Sequence, residues 1–263
     1  MLVISNGAMK SGSTWLTAIL RAMVDHKTLP PGFHDERFGD LPTIKREKLL
    51  QFLNEVDYQR ENYVSKNHFY YERRLLSRYK NVYVLDVRRD MADTLVSLFF
   101  HTKKKNSEWN IVDDTLNDVK KAFWIHGPRM AQGIARYHAV WRKKCSWVYV
   151  SSYERLKADS AKEIAAIGSF LGLTLSEKRI GEIIEETSFK KMANANRPSD
   201  SGMEARFRKG VVGDHKNYFD DDIVADIRRV EAENAEYPKS MGQKIDFAWK
   251  CYLNAGKAYD SPA

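Results

Sequence analysis

Val3-Ile4-Ser5-Asn6-Gly7-Ala8-Met9-Lys10-Ser11-Gly12-Ser13-Thr14-Trp15-Leu16-Thr17-Ala18-Ile19-Leu20 reads as a short apolar strand, a glycine loop and an amphipathic helix. Such a unit grips phosphate, because the N–H groups of the loop and of the first helical turn have no intrahelical acceptor and point at an anion. Gly7 and Gly12 stand where a P-loop has its two glycines, and Thr14 where it has its Ser or Thr. Ser13, however, occupies the lysine position, and the one lysine, Lys10, lies inside the loop. A phosphate is therefore expected to be held differently from the way an ATPase holds it.

Further β-rich runs follow at 62–66, 81–87 and 146–151, after the first at 2–5. Helical periodicity separates or follows them near 14–25, 45–56, 70–79, 91–104 and 129–144, and then at 159–171, 176–186 and 220–235. Strands alternating with helices predict an α/β fold, three layers α/β/α around a central, mainly parallel sheet. The 263 residues suffice for one large domain, taken as 1–263. Residues 26–43, with Pro30, Pro31, Gly32 and Pro42, and residues 194–214 read as long loops of the kind that form lids or binding loops.

A formal charge of +8 favours an acidic ligand, and no arginine-rich tract or RNA-binding aromatic motif points to nucleic acid. Cys145 and Cys251 form no CxxC pair, so reduced thiols are expected. No basic n-region precedes the first strand, and no apolar run approaches ~18 residues. A soluble, cytoplasmic protein without a membrane partner is expected, although a chain starting this close to its phosphate loop also fits an excised domain.

Two more constellations carry chemistry. Arg88, Arg89 and Asp90 follow the strand at 81–87, and Ser97 lies eight residues beyond Arg89 on the next helix. An arginine at the carboxyl end of a parallel strand faces the crevice where α/β folds bind ligands. Arg208-Lys209-Gly210-Val211-Val212-Gly213-Asp214-His215 sets a cationic pair beside a glycine, which suits an anion approached closely by backbone.

In this order the blocks resemble the PAPS-dependent cytosolic-type sulfotransferase family, where PAPS is 3′-phosphoadenylyl sulfate. Met9-Lys10-Ser11-Gly12-Ser13-Thr14-Trp15 is similar to its P-K-S-G-T-T-W loop, and Arg89 to Ser97 to its R-N-x-x-D-x-x-x-S stretch. Arg208 to Phe219 is similar to R-K-G-x-x-G-D-W-K-N-x-F, with His215 in the tryptophan position. Tyr153-Glu154-Arg155-Leu156-Lys157 resembles Y-E-D-M-K, and Thr187-Ser188-Phe189-Lys190-Lys191-Met192 resembles T-S-F-K-x-M. The matches span about four-fifths of the chain.

The resemblance implies that Lys10, Ser11, Gly12, Ser13 and Thr14 hold the 5′-phosphosulfate. Arg89 and Ser97, with Arg208, Lys209 and Gly210, would hold the 3′-phosphate. Trp15 and Phe189 would sandwich adenine, and Tyr153 would contact the nucleotide. Ser65-Lys66-Asn67-His68 resembles the family's K-T-H, which makes His68 the candidate base, with His101 as rival. Lys10 would stabilise the departing phosphate, and Lys66 would neutralise the transferred group. PAPS is the expected donor, PAP (adenosine 3′,5′-bisphosphate) the product, and no metal is expected. A small-molecule hydroxyl is the default acceptor, with an amine or carbamate nitrogen as the variant. Phe33, Phe38, Tyr70, Tyr71, Phe99, Phe100, Phe123 and Trp124 are candidate walls for it. Monomer and homodimer stay open. The competing readings are a P-loop kinase or NTPase, for which Asp86 would bind magnesium, and a non-catalytic nucleotide-binding protein.

Overall fold

The computed structural model describes residues 1–70, 72–108, 114–141, 146–195 and 209–235. Four strands, β1 (Leu2–Gly7), β2 (Tyr63–Asn67), β3 (Val82–Arg88) and β4 (Val148–Ser152), form a parallel sheet in the order β2-β1-β3-β4. The registers put Asn6 beside Asn67 and Asp86, and Arg88 beside Ser152, so the four strands end along one edge. Strand order reverses beside β1, which opens a crevice there at the carboxyl ends.

The helices are α1 (Ser13–Met23), α2 (Leu49–Glu55), α3 (Arg73–Leu76), α4 (Met91–Glu108), α5 (Val119–Trp141), α6 (Tyr153–Ala158), α7 (Ser160–Phe170), α8 (Glu177–Glu186), α9 (Phe189–Ala195) and α10 (Asp221–Glu233). The chain divides into two compact units. The first comprises Met1–Asp90 and Trp141–Val212 and contains the whole sheet; the second comprises Met91–Val140 and Gly213–Ala263.

In the first unit Val3, Val64, Leu85 and Val87 share one sheet face and pack with Leu16, Ile19 and Leu20 of α1, Ile164 and Ile167 of α7 and Ile183 of α8. Leu2, Ile4, Val82 and Val84 point to the opposite face and are equally buried. Two buried faces explain why these strands read as continuous apolar runs rather than alternating ones. Each buried Leu, Ile or Val contributes about 1.5–3 kcal/mol relative to exposure.

Helix α5 begins at Val119, ten residues before the helical pattern read from the sequence, and passes through Gly127 and Pro128. Glycine next to proline signals a boundary. Here the Phe123 ring lies where a Gly127 side chain would start, 2.2 Å from an ideal Cβ, so the glycine serves packing rather than termination. The stretch 70–79 is helical only over Arg73–Leu76. The short helices α6 and α9 escaped the periodicity, which needs more than two turns to show.

Candidate active site

The edge formed by the four carboxyl ends carries one chemistry-bearing residue after each strand: the glycine loop after β1, His68 after β2, Arg89 after β3 and Tyr153 after β4. Parallel pairing alone brings these residues, far apart in sequence, to a common edge of the first unit.

At β1 the backbone must turn hard. An ideal Cβ on Gly7 would lie 2.8 Å from Ser11 Oγ, from Val87 Cγ1 and from the Val87 carbonyl oxygen, so only glycine fits. Lys10 at φ 65 and Gly12 at φ 102 are both left-handed, which curls the loop into a concave row of N–H groups. Ser11 Oγ–H closes the loop on the Ala8 carbonyl at 2.6 Å. Helix α1 then starts with no side-chain cap and no acidic residue in its first turn. The positive end of its dipole and the N–H groups near Ser13 and Thr14 therefore suit an anion. Ser13 is buried, and its carbonyl accepts from Ser5 Oγ at 3.0 Å and Thr17 Oγ1 at 2.7 Å.

Tyr153 joins three of the predicted residues. Its ring lies 2.8 Å from an ideal Cβ on Gly12, meets Trp15 edge-on at 5.5 Å, and carries the Arg89 guanidinium 4.5 Å from its centroid. Arg89 Nη2 also donates to the Val211 carbonyl at 3.0 Å, which ties the strand end to the late loop. In that loop Gly210 adopts φ 68, and an ideal Cβ there would lie 2.4 Å from the Phe189 ring. The exposed Lys209 precedes it. Arg208 lies outside the described residues, as does Tyr71. Ser97 sits within α4, which belongs to the second unit, as do His101, Phe99, Phe100, Phe123 and Trp124.

Trp15 and Phe189, the predicted adenine walls, line one cleft of about 180 Å³ together with Ile19, Leu156, Thr187 and Ser188. Lys157 and Ser160 line it too; the sequence marked Lys157 only as the end of the Tyr153–Lys157 block, and did not mark Ser160. The indole Nε1 of Trp15 is buried without a hydrogen-bond partner.

After β2 the chain is fixed by Asn6, whose Oδ1 accepts from Phe69 N at 2.8 Å and whose Nδ2 donates to the Phe69 carbonyl at 3.2 Å. His68 therefore projects at the glycine loop, and its Nδ1 lies 2.6 Å from the Gly7 carbonyl oxygen. A carbonyl only accepts, so Nδ1 carries the proton and Nε2 bears the lone pair. Lys66, two residues earlier and within β2, donates from Nζ to that Nε2 at 3.0 Å. Burial, and then the adjacent ammonium, push the imidazole pKa down to about 3, against the weaker upward pull of the Gly7 bond. The resting His68 is a neutral imidazole whose basic nitrogen faces a buried cation.

Asp86 is fully buried on β3 and ion-paired to Arg88, with Nε 2.9 Å from Oδ2. A carboxylate held this way suits a structural pair rather than a magnesium ligand. In the second unit Asp93, the Asp of the R-N-x-x-D-x-x-x-S block, has partners that its motif did not disclose. Its buried carboxylate accepts from Gly213 N at 2.7 Å, from His215 N at 2.9 Å and from His215 Nδ1 at 2.9 Å. His215, which departs from the tryptophan of the resembled block, thereby gains a specific partner.

The chain is 27% identical to Sulfotransferase 1A1 of Rattus norvegicus, with 93% of this chain and 85% of that protein covered. It is 24% identical to Flavonol 3-sulfotransferase of Flaveria bidentis, covering 84% and 77%. Among solved structures, mouse sulfotransferase SULT7A1 complexed with PAP superposes with a TM-score of 0.64 at 19% identity, over 97% of this chain and 88% of that one, a likeness of fold. A model of the sulfotransferase domain matches residues 3–239, a span that includes the glycine loop, the Lys66–His68 pair, Arg89, Tyr153 and the Lys209–Gly210 turn, and the chain belongs to that family.

Proposed function

We propose that the protein moves the sulfuryl group of PAPS to a hydroxyl group of a small-molecule acceptor, with His68 as general base. The observation that carries this reading is the hydrogen bond from His68 to Gly7, which sets a neutral imidazole against the phosphate loop. The solved neighbour that holds PAP and the relative named Flavonol 3-sulfotransferase support donor and acceptor class respectively.

Two separated phosphates need two cationic pockets. The glycine loop with Lys10 and the α1 terminus forms one for the 5′-phosphosulfate. Arg89, Lys209 and Gly210 supply the other for the 3′-phosphate; Ser97 and Arg208 are assigned to it by the sequence resemblance alone. Trp15 and Phe189 give adenine flat apolar walls in their shared cleft.

In the reaction the acceptor oxygen attacks sulfur in line with the bridging oxygen. The acceptor proton passes to His68 Nε2, the new O–S bond forms, and the bond from sulfur to the phosphate oxygen breaks. PAP leaves with the bonding pair, and Lys10 neutralises the charge that grows there. Lys66 turns from Nε2 toward the sulfuryl oxygens, which frees the lone pair and removes the cation that depresses the imidazole. The same reading places the enzyme in the cytoplasm, and none of the described helices is long and apolar enough to cross a membrane.

Incubation with radiolabelled PAPS and a panel of phenols, alcohols and amines tests this directly. Label transfer to at least one hydroxyl acceptor supports the proposal. Tighter stabilisation by magnesium-ATP than by PAP, without label transfer, would favour a kinase or NTPase.

A further inference from the structure

Strand β2 is an edge of the sheet, and an edge left bare presents unpaired backbone groups. The segment returning from α1 covers it. Lys27 N donates to the Asn62 carbonyl at 2.8 Å, and Lys66 N donates to the Pro42 carbonyl at 2.6 Å. Ile44 N donates to Ser65 Oγ at 3.0 Å, and Asn67 Nδ2 donates to the Ile44 carbonyl at 2.9 Å. Between these anchors residues 34–43 are braced as a strap. Asp35 N donates to the Thr43 carbonyl at 2.7 Å, His34 Nε2–H donates to the Gly39 carbonyl at 2.8 Å, and Arg37 is ion-paired to Asp35 at 2.6 Å.

The strap contains one turn of 3₁₀ helix, Glu36–Phe38, and that turn delivers the Phe38 ring to Lys66. The ring centroid lies 5.5 Å from Nζ, within the roughly 6 Å reach of a cation–π contact. The same ammonium is 3.0 Å from His68 Nε2, and Lys66 is only 6% exposed. A buried ammonium on a four-carbon stem depends on the groups that face it, and the strong hydration it has lost gives their placement weight.

We propose that Phe38 is a positioning residue: its ring face keeps the Lys66 ammonium at the sulfuryl-transfer point as it turns from His68 Nε2, so the 34–43 strap governs turnover. This rests on the sulfotransferase reading above. Phe38 acts through Lys66, and its effect therefore depends on that lysine being present.

The contact itself is read by NMR on protein carrying lysine labelled with ¹³C at Cε, with the Lys66 signal assigned by its absence in Lys66→Met. The ring current shifts the Lys66 ε-protons upfield in the wild type; Phe38→Leu removes the shift and Phe38→Tyr restores it. In turnover assays with labelled PAPS, Phe38→Leu lowers kcat by roughly tenfold, the scale of one cation–π contact, and leaves the KM for PAPS unchanged. Phe38→Tyr recovers most of that loss. In a Lys66→Met background the Phe38→Leu change costs little further. An unshifted Lys66 signal in the wild type overturns the proposal, and so does an equal loss of kcat with and without Lys66. A wild type that shows the ring shift but transfers no sulfuryl group overturns the functional reading instead, and with it any catalytic task for Phe38.

Discussion

The Nδ1 of His68 donates a 2.6 Å hydrogen bond to the carbonyl oxygen of Gly7, 61 positions earlier in the chain. That bond joins the end of β2 to the start of the phosphate loop and fixes the imidazole tautomer. It leaves Nε2 as the only nitrogen able to take a proton, and Lys66 stands against it.

The depressed basicity of His68 makes stability depend on pH. In the unfolded chain the imidazole titrates near its ordinary 6.5, whereas in the fold it stays neutral down to about 3. Between these values the unfolded state binds the extra proton, so this contribution is complete above pH 6.5 and is lost as pH falls toward 3. Urea unfolding between pH 6 and pH 4 is expected to show the wild type losing about 1.4 kcal/mol per pH unit more than His68→Gln. Parallel curves for the two proteins would refute the depressed pKa.

His68→Ala removes the proposed base while leaving the loop, the Arg89–Tyr153 stack and the Trp15–Phe189 cleft in place. Turnover is expected to fall by roughly 10²–10⁴-fold, the usual worth of general base catalysis, with PAP binding by calorimetry unchanged. Near-normal turnover would reject His68 as base and return attention to His101.

Gly7→Ala forces a methyl group onto the Val87 carbonyl and Ser11 Oγ, each 2.8 Å away. Backbone cannot yield as a side-chain tip can, so a loss of about 1–3 kcal/mol in denaturant unfolding is expected. An unchanged midpoint would show that the loop is looser than this geometry requires.

Gly210 and Gly172 offer a matched pair, at φ 68 and φ 72. Alanine at either position meets left-handed strain of about 1 kcal/mol. Only at Gly210 does it also collide with the Phe189 ring, since an ideal Cβ on Gly172 meets no atom within 4 Å beyond its chain neighbours. Gly210→Ala is therefore expected to weaken PAP binding by roughly tenfold, about 1.4 kcal/mol, while Gly172→Ala leaves it unchanged. Equal affinities for the two variants would separate Phe189 from the nucleotide site.

Asp93→Ala leaves the Gly213 and His215 N–H groups and the His215 ring without their buried acceptor. A loss of about 3 kcal/mol or more is expected in thermal or denaturant unfolding. Asp93→Asn, which keeps one acceptor oxygen, is expected to lose less. A neutral Asp93→Ala would show that this network adds nothing to the second unit.

Much of this was legible in the residues themselves. All four strands follow from apolar runs, and the loop from Gly7 to Thr14 announces a phosphate, because these depend on local backbone preference and on the period of burial. Lys66 and His68 were both marked in the sequence, but their hydrogen bond was not, since His68 lies beyond the end of β2. What escaped depends on distant partners. Asp93 looked like one letter of a motif until the fold set it against His215.

Local sequence, then, determined the four strands and the residue types of the candidate site, including a lysine displaced into the loop and a histidine after the second strand. Tertiary structure alone decided which nitrogen of that histidine keeps its lone pair, how far its pKa falls and which ring faces Lys66. These depend on the Gly7 carbonyl, on burial and on the Phe38 ring, and the spacing between such partners is set by sheet order and strap closure rather than by neighbours in the chain.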